Sequence, residues 1–194
     1  MRIIAGTARG RSIQAPAGRN TRPTLDRVRE NLFNMLQTQI YGAAILDLFA
    51  GSGALSLEAL SRGADHAVLV DRDLKAHACE VQNLKNLGFT ARASVFLCEW
   101  ETAVRRLREM NEKFDLVFLD PPYQMNDLSG VFNALQPLIQ EDGFIVCEHQ
   151  AGHPPVVPSA FSSFRERSWG YCGVTFYRQV KEVIDEQLCD SGIL

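Results

Sequence analysis

An apolar run, Phe114-Asp115-Leu116-Val117-Phe118-Leu119, breaks into Asp120-Pro121-Pro122-Tyr123. Such a run reads as a strand buried on both faces. Two consecutive prolines cannot donate to a ladder, and they hold the residue before them extended. The strand therefore stops at Asp120 and continues as a stiff loop. That loop offers a carboxylate, free backbone carbonyls (Pro121 among them) and the aromatic face of Tyr123. A flat ligand carrying an amino group could stack on the ring and donate to the oxygens, as does a base taken out of its stack.

A second constellation lies upstream, in Asp47-Leu48-Phe49-Ala50-Gly51-Ser52-Gly53. Glycines 51 and 53 permit a tight turn and close approach of a ligand at the end of a strand. Gly-x-Gly alone is weak. The next strand ends at Asp71, where an acid commonly binds the two hydroxyls of an adenosine ribose. The third strand ends Leu97-Cys98-Glu99-Trp100, an acid and an aromatic suited to the adenine amino group and ring. Asp47, Phe49, Gly51, Ser52, Gly53, Asp71, Glu99 and Trp100 are thus the candidate cofactor contacts. Ser56 stands where a third dinucleotide-binding glycine would fall, which disfavours NAD. Asp47, an acid just before the turn, suits the sulfonium and ammonium of S-adenosylmethionine better than a pyrophosphate.

The elements that must carry these groups alternate from residue 44 onward. Strands over 44–49, 67–70, 93–97, 115–119 and 143–148 are separated by helices over 54–61, 74–87, 101–110 and 128–139. That alternation predicts an α/β fold, a parallel sheet with helices on both faces. Strand-like runs over 164–168 and 173–180 have no helix between them and read as an antiparallel hairpin finishing the sheet. Ahead of the sheet, Met1–Ile4 and Gly10–Gln14 read as two short strands of a basic flap. Thr24 is the expected N-cap of a helix over 25–39, whose stripe is Leu25, Val28, Leu32, Met35 and Leu36. The expected division is a flap and helix over 1–40, a catalytic domain over 41–182 and a polar tail over 183–194. Glu148 and His149 could face the active cleft, but a structural strand end is the favoured reading. Trp169, Tyr171 and Phe176 read as packing, and Glu30 as a partner of Arg27.

The bulk numbers fit one soluble domain of 194 residues, 46% apolar and 22% charged. Five dispersed cysteines without CxxC spacing argue against a disulfide framework and a zinc site, so a cytoplasmic location with reduced thiols is expected. No leader and no membrane-length apolar run is evident, and a monomer is expected. The net charge is −3, but residues 1–29 hold seven Arg and one Asp, giving +6 against −9 for the rest. Every cation there is Arg, which grips phosphate bidentately. Arg9, Arg11, Arg22 and Arg27 are the candidate RNA contacts.

These motifs together resemble the class I methyltransferases that modify exocyclic amines of bases. Ile4-Ala-Gly-Thr-Ala-Arg-Gly-Arg11 and Arg22-Pro-Thr-Leu-Asp-Arg-Val-Arg-Glu-Asn-Leu-Phe33 narrow the resemblance to the RsmD-type family, the bacterial 16S rRNA (guanine-966-N2)-methyltransferases. The resemblance extends to about residue 180. It implies a Rossmann-like, seven-stranded, mostly parallel sheet with an antiparallel last strand. It further implies methyl transfer from S-adenosylmethionine to N2 of one guanine, without a metal and leaving S-adenosylhomocysteine. The implied partner is 16S rRNA, which we expect within a small-subunit particle. Two other readings stand beside it. One is an adenine-N6 DNA methyltransferase, which shares the Asp-Pro-Pro-Tyr chemistry but usually needs a target-recognition insertion. The other is a non-catalytic RNA-binding assembly protein on the same fold.

Overall fold

A computed structural model describes residues 1–16, 23–122 and 124–181, without the side chains of 23–25. Tyr123, Arg22 and the expected polar tail lie outside the described residues. Seven strands form one sheet in the order β3-β2-β1-β4-β5-β7-β6. β1 (Ala44–Asp47), β2 (His66–Asp71), β3 (Ala93–Leu97), β4 (Phe114–Leu119) and β5 (Ile139–Gln150) are mutually parallel. β6 (Phe161–Trp169) and β7 (Cys172–Gln179) form the expected antiparallel hairpin, and β7 lies against β5. β1 and β4 are adjacent at the centre, so the glycine turn after β1 and the Asp-Pro-Pro loop after β4 leave the same edge side by side. Ligands of open α/β sheets bind at that carboxyl-end edge, where the strand order reverses.

The helices divide between the faces. α1 (Pro23–Met35), α2 (Ala54–Ser61) and α3 (Leu74–Leu87) cover one, where Leu32, Phe33, Leu57, Leu60 and Leu84 pack on Ile45, Phe118 and Val146. α4 (Trp100–Glu109) and α5 (Ser129–Leu135) cover the other, where Leu107 and Phe132 meet Leu46, Val117 and Ile145. Ile3, Ala8 and Ile13 belong to the first of these cores, so the N-terminal segment packs on the same apolar layer as α1.

Several bounds differ from the sequence reading. α1 begins at Pro23, so Thr24 is a residue of its first turn and not the cap. Proline is favoured at that first position, because its fixed φ is already helical and no N–H is lost from the ladder. Past Met35 the chain runs through turns, with Gln39 N–H donating to Leu36 O at 2.9 Å. The helix expected over 128–139 ends at Leu135 and passes into a 3-10 turn over Gln136–Leu138, since Pro137 cannot donate to the α ladder. β5 starts four residues early, at Ile139, which pairs with Phe114 across a register shift. The two strands expected in the flap reduce to a single bridge, Arg2 to Ser12.

What holds that N-terminal segment is a set of buried side chains on α2 and α3. Glu58 is fully buried, and its carboxylate accepts from Ile4 N–H at 2.8 Å and Ala5 N–H at 3.0 Å. Arg62 Nε donates to the same carboxylate at 2.7 Å, and Arg29 Nε lies 3.9 Å away. Ser61 Oγ accepts from Ala8 N–H and donates to Ala5 O. Asn83, also buried, accepts from Gln14 N–H at 2.9 Å and donates to Gln14 O and Ser52 O at 3.0 Å each. Glu58→Ala removes one buried charge and strands the Arg62 guanidinium and two backbone N–H groups. A loss of about 3–5 kcal/mol in urea-unfolding stability is expected. A loss below about 1 kcal/mol would contradict this account of how the segment is held.

Candidate active site

Gly51 and Gly53 adopt left-handed φ values of 59° and 75°. A Cβ at Gly53 would meet Leu69 Cδ2 at 2.7 Å, so the turn needs glycine for both conformation and space. Asp71, at the end of β2, clamps the turn from one side: its carboxylate accepts from Gly51 N–H at 2.9 Å and from Asp73 N–H at 2.8 Å. Each bond uses one lone pair per oxygen, which leaves acceptor capacity on both. Asp73 in turn caps α3 by accepting from Lys75 N–H.

Two cavities flank the turn and share Phe49 and Asp120. The larger, about 530 Å³, is lined by Asp71, Glu99, Trp100, Pro121, Pro122 and Met125 among others. Glu99 also pairs with Arg72 at 3.5 Å across an exposed surface. The smaller, about 150 Å³, is lined by Asp47, Gly51, Ser52, Asp120, Glu148 and Arg29, with apolar walls from α1 and the N-terminal segment. Asp71, Glu99, Trp100 and Pro121 therefore line the larger cavity and Asp47, Gly51 and Ser52 the smaller; Phe49 and Asp120 line both, and Gly53 lines neither half of this cleft. Glu148, expected to be a structural strand end, opens into it. Its neighbour His149 is buried and ties to Thr175 Oγ1 at 2.8 Å instead. Phe176 lies in the core, as expected, and Trp169 packs against it.

The electrostatics are unusual in having too many carboxylates for their partners. Among the described residues, four buried polar atoms lack a hydrogen-bond partner: Arg29 Nε, Asp47 Oδ1 and both oxygens of Glu80. Asp47 is 1% exposed and accepts a single bond, from Ser56 Oγ at 3.0 Å. Burial raises its carboxyl to about 7, against the Ser56 bond, and Asp120 adds to the rise. Glu80 lies beneath the turn, its Cγ 3.6 Å from where a Gly53 Cβ would sit. Burial pushes it up to about 8, reinforced by Asp47 and Asp71. Burial and then Asp120 raise Glu148 to about 8. A desolvated carboxylate is relieved by a cation. The cleft thus has one half that joins acids to the Trp100 ring and another in which Asp47 lacks a counter-charge.

The arginines separate. Arg9 and Arg27 are exposed and line one surface groove of about 540 Å³ together with Arg2, Asp26 and Glu30. Arg11 instead donates to the carbonyls of Asn86 and Leu87 at the end of α3. Arg29 is buried and reaches Asp26 at 3.0 Å. No group of three or more His, Cys, Asp or Glu able to hold a metal occurs among the described residues. Nor is any described helix long and apolar enough to cross a membrane.

Comparison with known proteins decides the family. A family model described as "Conserved hypothetical protein 95" matches residues 1–178. The chain belongs to that family. A Bacillus subtilis relative named "Putative rRNA methyltransferase YlbH" is 41% identical over 183 residues, 92% of this chain and 99% of its own. The Escherichia coli K12 "Ribosomal RNA small subunit methyltransferase D" is 37% identical over 182 residues, 92% of this chain and 90% of its own. The RsmD-type resemblance read from the motifs is therefore the chain's true kinship. A solved structure titled "Putative methyltransferase yhhF from Escherichia coli" superposes with a TM-score of 0.79 at 35% identity, covering 92% of this chain and 97% of that one. The sheet is that of the class I methyltransferases.

Glu58, Glu80, Asn83 and Arg29 were missed by motif reading. The signal for two of them was present. Glu58 interrupts an otherwise apolar helix, and Glu80 falls on the buried stripe of α3 with Ala76, Asn83, Leu84 and Leu87. Because its folded-state carboxyl lies above its ordinary value of 4.5, Glu80 contributes stability that is complete below about pH 4.5 and lost as pH rises towards 8. One such group changes stability by about 1.4 kcal/mol per pH unit inside that window. Glu80→Gln should therefore match the parent near pH 5 and exceed it in thermal stability at pH 8. Equal melting curves at both pH values would show that Glu80 is not desolvated in this way.

Proposed function

We propose that the protein transfers a methyl group from S-adenosylmethionine to the exocyclic N2 of a guanine in 16S rRNA. The observation that carries this reading is the shared lining of the two cavities by Asp120, which sets one carboxylate beside both halves of the cleft. The relatives' names support the rRNA substrate. The starved carboxylates support a cationic cofactor.

The cofactor supplies an electrophilic methyl on a sulfonium and departs as a neutral thioether, S-adenosylhomocysteine. Asp71 would hold the ribose hydroxyls with its remaining lone pairs, while Glu99 and Trp100 receive the adenine. Phe49, Gly51 and Ser52 would form the floor, with Gly53 shaping the turn beneath, and Asp47 would face the ammonium. Guanine N2 is a poor nucleophile because its lone pair is conjugated into the ring. Position and electrostatics therefore matter most, and correct orientation can supply several kcal/mol. Asp120 and the Pro121 carbonyl would accept from the amino group, aim it at the methyl and favour the positive charge that grows on nitrogen. Asp120 is also the first acceptor for the proton that nitrogen gives up. From its sequence position, Tyr123 is assigned the stacking face for the base, worth roughly 1–3 kcal/mol. Arg9 and Arg27 would meet RNA phosphates, joined from sequence by Arg22. Arg11 would act there only if it left the α3 carbonyls.

The decisive assay presents labelled S-adenosylmethionine with deproteinised rRNA, small subunits or DNA. Label is expected in guanine of the RNA substrates and not in DNA adenine. Asp120→Ala should lower methyl transfer by about 10²-fold or more, the usual scale for a lost transition-state contact. Its affinity for S-adenosylmethionine, followed by calorimetry, should stay within about threefold. Full activity in that variant would refute the assigned role.

A further inference from the structure

One carboxylate in the cleft has no task in the reaction as described: Glu148. The register aligns Leu119 of β4 with Cys147 of β5. The next residue on each strand is a carboxylate, Asp120 and Glu148, and both line the same cavity as Asp47 and Arg29. Adjacent strands lie about 4.8 Å apart, so the two acids enter the cavity as neighbours. Their proximity is felt electrostatically, since Asp120 adds to the rise that burial imposes on Glu148. Glu148 also stands on the wall towards a further cavity under the Asp-Pro-Pro loop, lined by Pro121, Pro122, Gln150 and His153. Asp47, whose Oδ1 is buried without a partner, lines the same cavity.

A guanine presents two adjacent donors on its Watson–Crick edge, N1–H and the N2 amino group. An adenine presents an acceptor at N1 next to its amino group. Two neighbouring acceptors, one from each strand end, match the first edge and repel the second. We propose that Glu148 is the specificity-determining residue of the site, accepting from N1–H of the target guanine while Asp120 accepts from N2. This rests on the guanine-N2 reading above and deepens it. A single acid could serve both donors, but the amino group must be turned towards the methyl. Dividing the edge between two acids lets N2 tilt while the ring stays held at N1. The cationic half of the cofactor, between these acids and Asp47, would favour the ionised form of Glu148 that N1–H requires. Discrimination of this kind arises because the wrong base sets its N1 lone pair against the half-buried Glu148 carboxylate instead of donating to it.

The probe is 2,6-diaminopurine, which keeps the 2-amino group and has no hydrogen on N1. Two rRNA substrates, prepared by splinted ligation, would carry either guanine or diaminopurine at the methylated position. The wild-type enzyme should prefer guanine in kcat/KM by about 10- to 100-fold, the scale of a hydrogen bond to a charged group. Glu148→Gln, which can either accept from or donate to N1, should lose guanine activity and bring the preference to within about threefold. Glu148→Ala should also lose the preference. S-adenosylmethionine affinity and melting temperature of Glu148→Gln report that the fold and cofactor site persist. A preference unchanged in Glu148→Gln, with guanine still methylated, would overturn the role of Glu148 alone. Methylation of neither RNA by the wild type would instead remove the guanine-N2 reading, and the assignment with it.

Discussion

The site depends on carboxylates taken out of water without enough partners. Asp47 and Glu80 are buried at the end of β1 and beneath the glycine turn, and Asp120 adds its negative charge to Asp47 and to the half-buried Glu148. Asp47 has one oxygen unbonded and Glu80 has two. The folded chain tolerates this by holding protons that free carboxyls would release, which costs stability as pH rises. A cationic ligand provides the missing counter-charge. A dinucleotide's pyrophosphate would add negative charge to a region already short of positive charge.

The N-terminal segment makes that burial possible. Met1, Ala15 and Pro16 supply part of the smaller cavity's wall, and without them Asp47 would face water. Buried polar side chains hold the segment there. Asn83 is central, because one amide joins Gln14 of the segment to Ser52 of the glycine turn. The wall of the cavity and the glycine turn are therefore fixed to each other through a single side chain on α3. Glu58 does the equivalent at the other end, where it gathers two backbone N–H groups and Arg62 onto α2, directly after the turn. Arg9 and Arg27 ride on this frame, which fixes the basic groove relative to the cleft.

Much of this was legible in the residues. The bounds of α2, α3 and β3 match the sequence reading, because each carries its own local signals: Gly53 before α2, and Asp73 before and Gly88 after α3. The central strands were visible as apolar runs, and the two loops as Asp-Pro-Pro and Gly-x-Gly. What could not be read depends on contacts between distant segments. The early start of β5 at Ile139 is set by pairing with Phe114, and the polar Gln140-Glu141-Asp142 gives no hint of a strand. The place of Glu148 follows from its register beside β4, not from its neighbours in sequence. Arg11 looked equivalent to Arg9 until the end of α3 was placed beneath it.

The central claim is geometric: a proline-stiffened carboxylate holds an amino nitrogen against a methyl seated over the glycine turn. A crystal structure with S-adenosylhomocysteine and an RNA bearing the target guanine measures it directly. The account predicts guanine N2 within about 3 Å of an Asp120 carboxylate oxygen, ordinary hydrogen-bond range, and in line with the cofactor sulfur. A base bound with its amino group turned away from Asp120, or a sulfur lying outside the cleft between the two loops, would contradict it.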